Sequence, residues 1–220
     1  MASNMRKSHD TAAFKAREAL KEEKTAEGSS DFIIIVSGLP RSGTSMMMRI
    51  LEAGGIEIIT DGVREPDEDN PRGYYEDERV KKIREDPSWL EDCKGKAVKV
   101  ISMLLYDLPV HRRYKIIFME RAMKEILSSQ KVMLQRRGQK DDGLSNEEMA
   151  EKFAKHLCQI EEWMEGRDYM DVVRIKYHEV INDVRGQVKI VNNFLDKQLN
   201  EEEMVKVVEK SLYRQGRRGT

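Results

Sequence analysis

The stretch from Phe32 to Leu51 constrains the fold more than any other part of the chain. Phe32-Ile-Ile-Ile-Val36 is an unbroken run of β-branched and aromatic residues between Asp31 and Ser37. A run without polar alternation suits a strand covered on both faces, and that cover comes from helices on either side of a parallel sheet. Residues 37–43 interrupt the run with glycine, proline and serine. From Thr44 on, Met46, Met47, Ile50 and Leu51 recur at the spacing of one helical face. Strand, turn and helix in this order open a βαβ unit.

The remainder repeats the alternation. Residues 56–59, 97–101, 114–119 and 172–177 read as further strands. Between them lie a charged helical stretch at about 76–84 and a helix carrying Met123, Ile126, Leu127, Met133 and Leu134. A second helix follows, opened by Ser145, with Glu148 three residues on to complete a capping box. It carries Met149, Phe153, Leu157, Ile160 and Met164 at helical spacing, and the chain from His178 onward is helical in pattern. The expected class is α/β: a three-layer domain over residues 31–220 with a mostly parallel central sheet and right-handed crossovers. Residues 1–30 hold little besides Phe14 and Leu20 to bury, so they read as a helical or disordered extension ending at Glu27-Gly-Ser-Ser30.

Charge narrows the partners. Lysine and arginine total 39 against 40 acidic residues, for a net charge of −1, so no basic field favours nucleic acid. No apolar run approaches the roughly 20 residues of a membrane-spanning helix, and residues 1–30 contain no apolar core of a secretory signal. Cys93 and Cys158 are far apart, and with four scattered histidines they offer no metal-ligand spacing. The expectation is a cytoplasmic protein with reduced thiols, no metal, no nucleic acid and no membrane partner.

The chemistry concentrates in Gly38-Leu-Pro-Arg-Ser-Gly-Thr-Ser45. Gly38 and Gly43 have the spacing of a Walker A loop, in which backbone N–H groups turn inward onto a phosphate and the following helix adds its partial positive charge. This makes the domain P-loop-containing. The Walker A lysine is missing: Thr44 stands in its place, and Arg41 supplies a cation three residues earlier. An anion site is expected from Arg41, Ser42, Gly43, Thr44 and Ser45, with an ordinary Mg-nucleotide site disfavoured.

After a strand, Leu39-Pro-Arg-Ser-Gly-Thr-Ser45 resembles the 5′-phosphosulfate loop of the sulfotransferases that use 3′-phosphoadenosine 5′-phosphosulfate (PAPS). The same family binds the 3′-phosphate with an arginine at a strand end and a serine eight residues later, a spacing met by Arg121 and Ser129. A third likeness is Tyr177-His-Glu-Val180 ahead of a helix ending in Phe194-Leu195; the resemblance implies that Tyr177 helps to hold the adenine end. It implies a metal-free sulfuryl transfer to a hydroxyl or amine of a small-molecule or glycan acceptor. Arg41 would stabilise charge on the bridging oxygen, while Arg121 and Ser129 would select the 3′-phosphate.

Two departures from the family pattern bear on the site. Met46 stands where many members carry a tryptophan against adenine, and Lys99-Val-Ile-Ser102 lacks the histidine that many cytosolic members use as base. Other branches use a carboxylate, so Asp61 and Glu65, in the acidic loop after the second strand, are the expected catalytic base candidates, with His111 as a third. Two alternatives stay open: a Mg-dependent kinase or NTPase with Arg41 for the lysine and Glu120 as its acid, and a non-catalytic nucleotide-binding protein on a degenerate loop.

Overall fold

A computed structural model describes residues 31–63, 73–136, 138 and 145–208. The expected extension at 1–30, the candidate base Glu65 with most of its acidic loop, most of the polar segment 135–144 and the end of the helical tail lie outside the described residues.

Among the described residues, five strands form one sheet in the order β2-β3-β1-β4-β5, and each of its four pairings is parallel. They are β1 (Ile33–Gly38), β2 (Ile58–Ile59), β3 (Ala97–Lys99), β4 (Tyr114–Glu120) and β5 (Met170–Lys176). The helices are α1 (Thr44–Ala53), α2 (Met123–Arg136), α3 (Asn146–Met164), α4 (Tyr177–Asn182), α5 (Val184–Leu195) and α6 (Glu201–Lys206). Three 3-10 segments, Glu78–Lys82, Ser88–Cys93 and Ser102–Asp107, fill the connections around β3. Among the described residues, no helix is long and apolar enough to cross a membrane.

All six residues of β1 are buried, as its uninterrupted apolar run predicts for a central strand. Alternate side chains serve two cores. On one face Ile34, Val36, Ala97, Ile117, Met119 and Ile175 pack with α1, α4, α5 and α6; on the other Ile33, Ile35, Val98, Val100, Ile116 and Phe118 pack with Ile160 and Met164 of α3 and with the 3-10 segments. These two cores give the three layers. Trp89 lies in the second core and Trp163 packs against it.

The differences from the sequence reading are local. β3 stops at Lys99, because Ile101 caps a 3-10 segment that begins at Ser102. The charged stretch predicted as helical becomes the short 3-10 segment Glu78–Lys82; only Val80 of it is buried, so too little apolar surface is covered to propagate a helix. The capping box at Ser145 and Glu148 forms, with the Ser145 hydroxyl accepting from Glu148 N at 3.1 Å and the Glu148 carboxylate accepting from Ser145 N at 2.8 Å.

Topology places the site. β1 leads into α1 on one face of the sheet, while the chain leaving β4 returns through α3 on the other. Neighbouring parallel strands whose connections depart to opposite faces leave a crevice at their carboxyl ends, where ligands of open α/β sheets bind. The crevice here lies between β1 and β4.

Candidate active site

The register of the sheet determines what meets in that crevice. Gly38 pairs with Met119 across β1 and β4, and Glu120 pairs with Lys176 across β4 and β5. The loop after Gly38, Arg121 after Glu120 and Tyr177 after Lys176 therefore emerge side by side.

The loop holds an unusual backbone. Gly38 has φ 143°, Gly43 has φ 103°, and Arg41 adopts the left-handed conformation at φ 70°. For an L-residue that conformation costs roughly 1–2 kcal/mol, and a neighbour holds it: Arg121 Nη1 donates to the Arg41 carbonyl at 3.0 Å. A Cβ on Gly43 would lie 2.4 Å from Cδ2 of Tyr177, and one on Gly38 would lie 2.5 Å from both Met119 O and Ser42 Oγ. Both positions thus require glycine for space as well as for φ. Met46 N and Met47 N both donate to Gly43 O, which leaves the amides of Thr44 and Ser45 to open α1 at its positive end.

The side chains behind the loop form a chain of contacts. Arg41 Nε donates to Ser129 Oγ at 2.9 Å, although 88 residues separate the two. Ser129, on α2, is 6% exposed. Arg121 also donates through Nε to Glu125 at 2.9 Å and sits 4.3 Å over the Tyr177 ring. Of the residues predicted from sequence, Arg41, Gly43, Arg121, Ser129 and Tyr177 are joined in this one cluster. Tyr177 is 5% exposed, wedged between Gly43 and Arg121, and burial pushes its phenol above the ordinary range. Ser42 is buried, and its Oγ has no hydrogen-bond partner among the described residues. Thr44 is buried at the start of α1, and Met46 belongs to the core on the α1 face.

Ser45 turns the other way. Its hydroxyl donates to Tyr74 O at 3.2 Å and accepts from Lys99 Nζ at 3.2 Å. Lys99 lies opposite Val36 in the β3–β1 register, on the same face of the sheet as α1. Its ammonium also donates to Tyr74 O at 2.6 Å and to Glu76 Oε1 at 3.2 Å. The Lys99 side chain is 7% exposed and that of Glu76 33%. A nearly buried ammonium needs its protons satisfied and its charge paired, and these three acceptors do both. The sequence reading noted Lys99 only for the histidine missing after it, and placed Glu76 in a helix.

Two of the predicted base candidates, Asp61 and His111, fall within the described residues, and neither joins this cluster. Both carboxylate oxygens of Asp61 accept backbone bonds, from Val63 N at 2.9 Å and Glu78 N at 2.7 Å. These two N–H groups hold its carboxyl below the ordinary range and make it a clasp between the two ends of the acidic loop. His111 is exposed ahead of β4, at the edge of the sheet opposite the crevice. Glu120, the acid of the kinase alternative, sits 3.8 Å from Arg174 Nε. One histidine does reach the segment after β3: His156 of α3 has its Nε2 2.9 Å from Ser102 Oγ, and burial lowers its pKa. Nothing in the spacing of residues 102 and 156 announces that pair.

The loop, two guanidinium groups and a helix N-terminus thus meet at the carboxyl ends of β1 and β4, a set of donors whose chemistry suits anions. No curated protein matches the sequence. Among solved structures, the chain is similar to sulfotransferase STF1 from Mycobacterium tuberculosis H37Rv, with a TM-score of 0.54, 15% identity and coverage of 81% of this chain and 72% of that one. It is also similar to the sulfotransferase domain of the Synechococcus PCC 7002 olefin synthase, with a TM-score of 0.51, 13% identity and coverage of 84% and 80%. At these identities the likeness concerns the fold. A match to retinol dehydratase in complex with androsterone and inactive cofactor PAP has a TM-score of 0.43 and 16% identity; it covers 79% of this chain, which spans 62% of that protein's length. Residues 31–218 match the family profile described as the sulfotransferase domain, and over that span the chain belongs to this family.

Proposed function

We propose that the domain over residues 31–220 transfers a sulfuryl group from PAPS to a hydroxyl or amine of a small-molecule or glycan acceptor. The observation that carries the reading is the convergence of Arg41, Arg121 and Ser129 at the carboxyl ends of β1 and β4, with Arg41 and Ser129 joined at 2.9 Å. The residues fit an anionic donor. Gly38 and Gly43 bend the loop, the amides of Thr44 and Ser45 open α1, and two guanidinium groups bring paired N–H donors. The donor supplies an activated sulfuryl group on a phosphate leaving group; the protein's part is to bind, orient and neutralise.

In this reading the loop backbone and Thr44 receive the 5′-phosphate end, while Arg121 and Ser129 receive the 3′-phosphate. Arg41 lies between them and neutralises charge that builds on the bridging oxygen as the donor bond breaks. Ser45 supports the loop through Lys99 and Tyr74, and Tyr177 acts as a spacer between Gly43 and Arg121; its position beside these two residues keeps it close to the nucleotide end.

Titration calorimetry with adenosine 3′,5′-bisphosphate, with and without Mg²⁺ and beside ATP and GTP, tests the reading. Metal-independent binding of the bisphosphate in preference to ATP and GTP is expected. Mg-dependent binding of ATP or GTP with no preference for a 3′-phosphate would overturn it in favour of a kinase or NTPase.

A further inference from the structure

An acceptor hydroxyl must lose its proton as it attacks, and neither arginine of the donor cluster can take it. From the pairing of Lys99 with Glu76 beside the first turn of α1, we infer that Glu76 is the catalytic base. The inference rests on the donor-site reading above and adds to it the residue that receives the acceptor proton.

Three features set Glu76 apart from the other carboxylates near the crevice. Its backbone is pinned at the carboxyl end of the sheet: Glu76 O accepts from Thr60 Oγ1 at 2.9 Å and from Asp61 N at 3.2 Å, immediately after β2. Its side chain is fixed to the same ammonium that holds Ser45, the second residue of α1, so the carboxylate is tied to the donor loop through one shared partner. It is also one-third exposed while Lys99 is nearly buried, so the pair presents its carboxylate end outward. Asp61 is tied to backbone instead: its two oxygens accept from Val63 N and Glu78 N.

The step balances without a further reactant. The acceptor O–H bond breaks and its proton passes to a Glu76 carboxylate oxygen. The acceptor oxygen forms a bond to sulfur as the bond from sulfur to the donor's phosphate oxygen breaks, and that electron pair leaves on the phosphate. Glu76 then returns the proton to water. Lys99 is a positioning residue: it keeps a carboxylate beside the loop and supplies a compensating charge when the proton has gone.

Water serves as the acceptor probe, so slow hydrolysis of PAPS to the bisphosphate and sulfate reports the step without knowledge of the natural acceptor. Glu76→Gln is expected to lower this rate by about 10²–10⁴-fold, the ordinary range for a general base. It is expected to leave the calorimetric isotherm for the bisphosphate unchanged within about twofold, a readout of folding and donor binding independent of turnover. The rate of the unsubstituted protein should rise with pH through one ionisation that Glu76→Gln removes, and formate should restore part of the rate to Glu76→Ala. Bisphosphate binding with an unchanged hydrolysis rate and pH profile in Glu76→Gln overturns the assignment alone. Absence of bisphosphate binding in the unsubstituted protein overturns the donor reading and this inference with it, whereas bisphosphate binding without any PAPS cleavage overturns this inference alone.

Discussion

Arg121 serves two neighbours at once, and replacing it separates two explanations of how the proposed donor site works. Arg121→Met keeps an unbranched stem against the Tyr177 ring and removes every side-chain N–H. Two bonds go: the one to Arg41 O at 3.0 Å and the one to Glu125 at 2.9 Å. The first holds a non-glycine residue at φ 70°. A hydrogen bond from a charged donor contributes about 1.5–3 kcal/mol, in the range of the roughly 1–2 kcal/mol that the left-handed conformation costs. Without it the loop should spend less time in the shape proposed to receive a phosphate, and a ligand would have to restore that shape on binding. At 1.4 kcal/mol per factor of ten, adenosine 5′-phosphosulfate, which has no 3′-phosphate, should bind roughly 10- to 100-fold more weakly. The 3′,5′-bisphosphate loses the same amount and also its direct contact with the guanidinium, so its affinity should fall by roughly 10²–10⁴. Titration calorimetry of the two ligands against both proteins measures the pair. A full loss for the bisphosphate with unchanged affinity for the 5′-phosphosulfate would refute the brace and leave Arg121 as a 3′-phosphate contact only.

Three further outcomes follow from other contacts. Gly43→Ala places a Cβ 2.4 Å from Tyr177 at φ 103°; overpacking of this kind costs about 1–3 kcal/mol, and for a chain of this length each kcal/mol lowers Tm by about 2–4 °C, so scanning calorimetry should show a fall of several degrees. Lys99→Met leaves Glu76 and the Tyr74 carbonyl without this donor and should destabilise by about 1–3 kcal/mol in urea unfolding. The double variant with Glu76→Gln should cost less than the two single changes summed, and strict additivity would show that the pair is not coupled. His156 has its pKa lowered by burial from an ordinary value of 6.5, so the unfolded chain takes up the proton first as pH falls. Stability should therefore decline below about pH 6.5 until the lowered folded value is passed. Urea unfolding of His156→Gln at pH 7.5 and pH 5.5 checks this: the advantage of histidine over glutamine should shrink at the lower pH, and a gap independent of pH would count against it.

How much of the site could be read from the chain depended on how local its chemistry is. The loop at 38–45 is a contiguous segment between a buried strand and a helix, and its glycines and Arg41 announce an anion site without any tertiary information. Arg121 and Ser129 are eight residues apart, so a strand end and one helix suffice to associate them. Their meeting with Arg41 needs the β1–β4 register, which no sequence spacing encodes. Lys99 and Glu76 were invisible as a pair because they lie on opposite sides of the 3-10 segments Glu78–Lys82 and Ser88–Cys93, and charged residues in such stretches ordinarily face solvent. Asp61 looked available because backbone N–H groups leave no mark in a sequence; only the folded loop shows both of its oxygens in use.

The site is therefore a property of the sheet more than of the loop. Gly38 opposite Met119 brings Arg121 to the level of Arg41, close enough for Nη1 to reach its carbonyl. Glu120 opposite Lys176 does the same for Tyr177, whose ring then fills the space beside Gly43. A one-residue slip of β4 would turn its inward side chains to the opposite face, exchanging Ile117 and Met119 of one core for Ile116 and Phe118 of the other. Both cores resist that slip, because each is filled by side chains of a fixed parity along β1 and β4. The energy that fixes the register comes from buried side chains along β1 and β4, and the same register sets Arg121 where it can hold Arg41 at φ 70°. Core substitutions in β4 that leave the protein folded but loosen the register, such as Ile117→Ala, should therefore weaken bisphosphate binding although Ile117 lies outside the proposed anion-binding cluster, and an unaltered isotherm in a folded Ile117→Ala protein would separate the loop from the sheet.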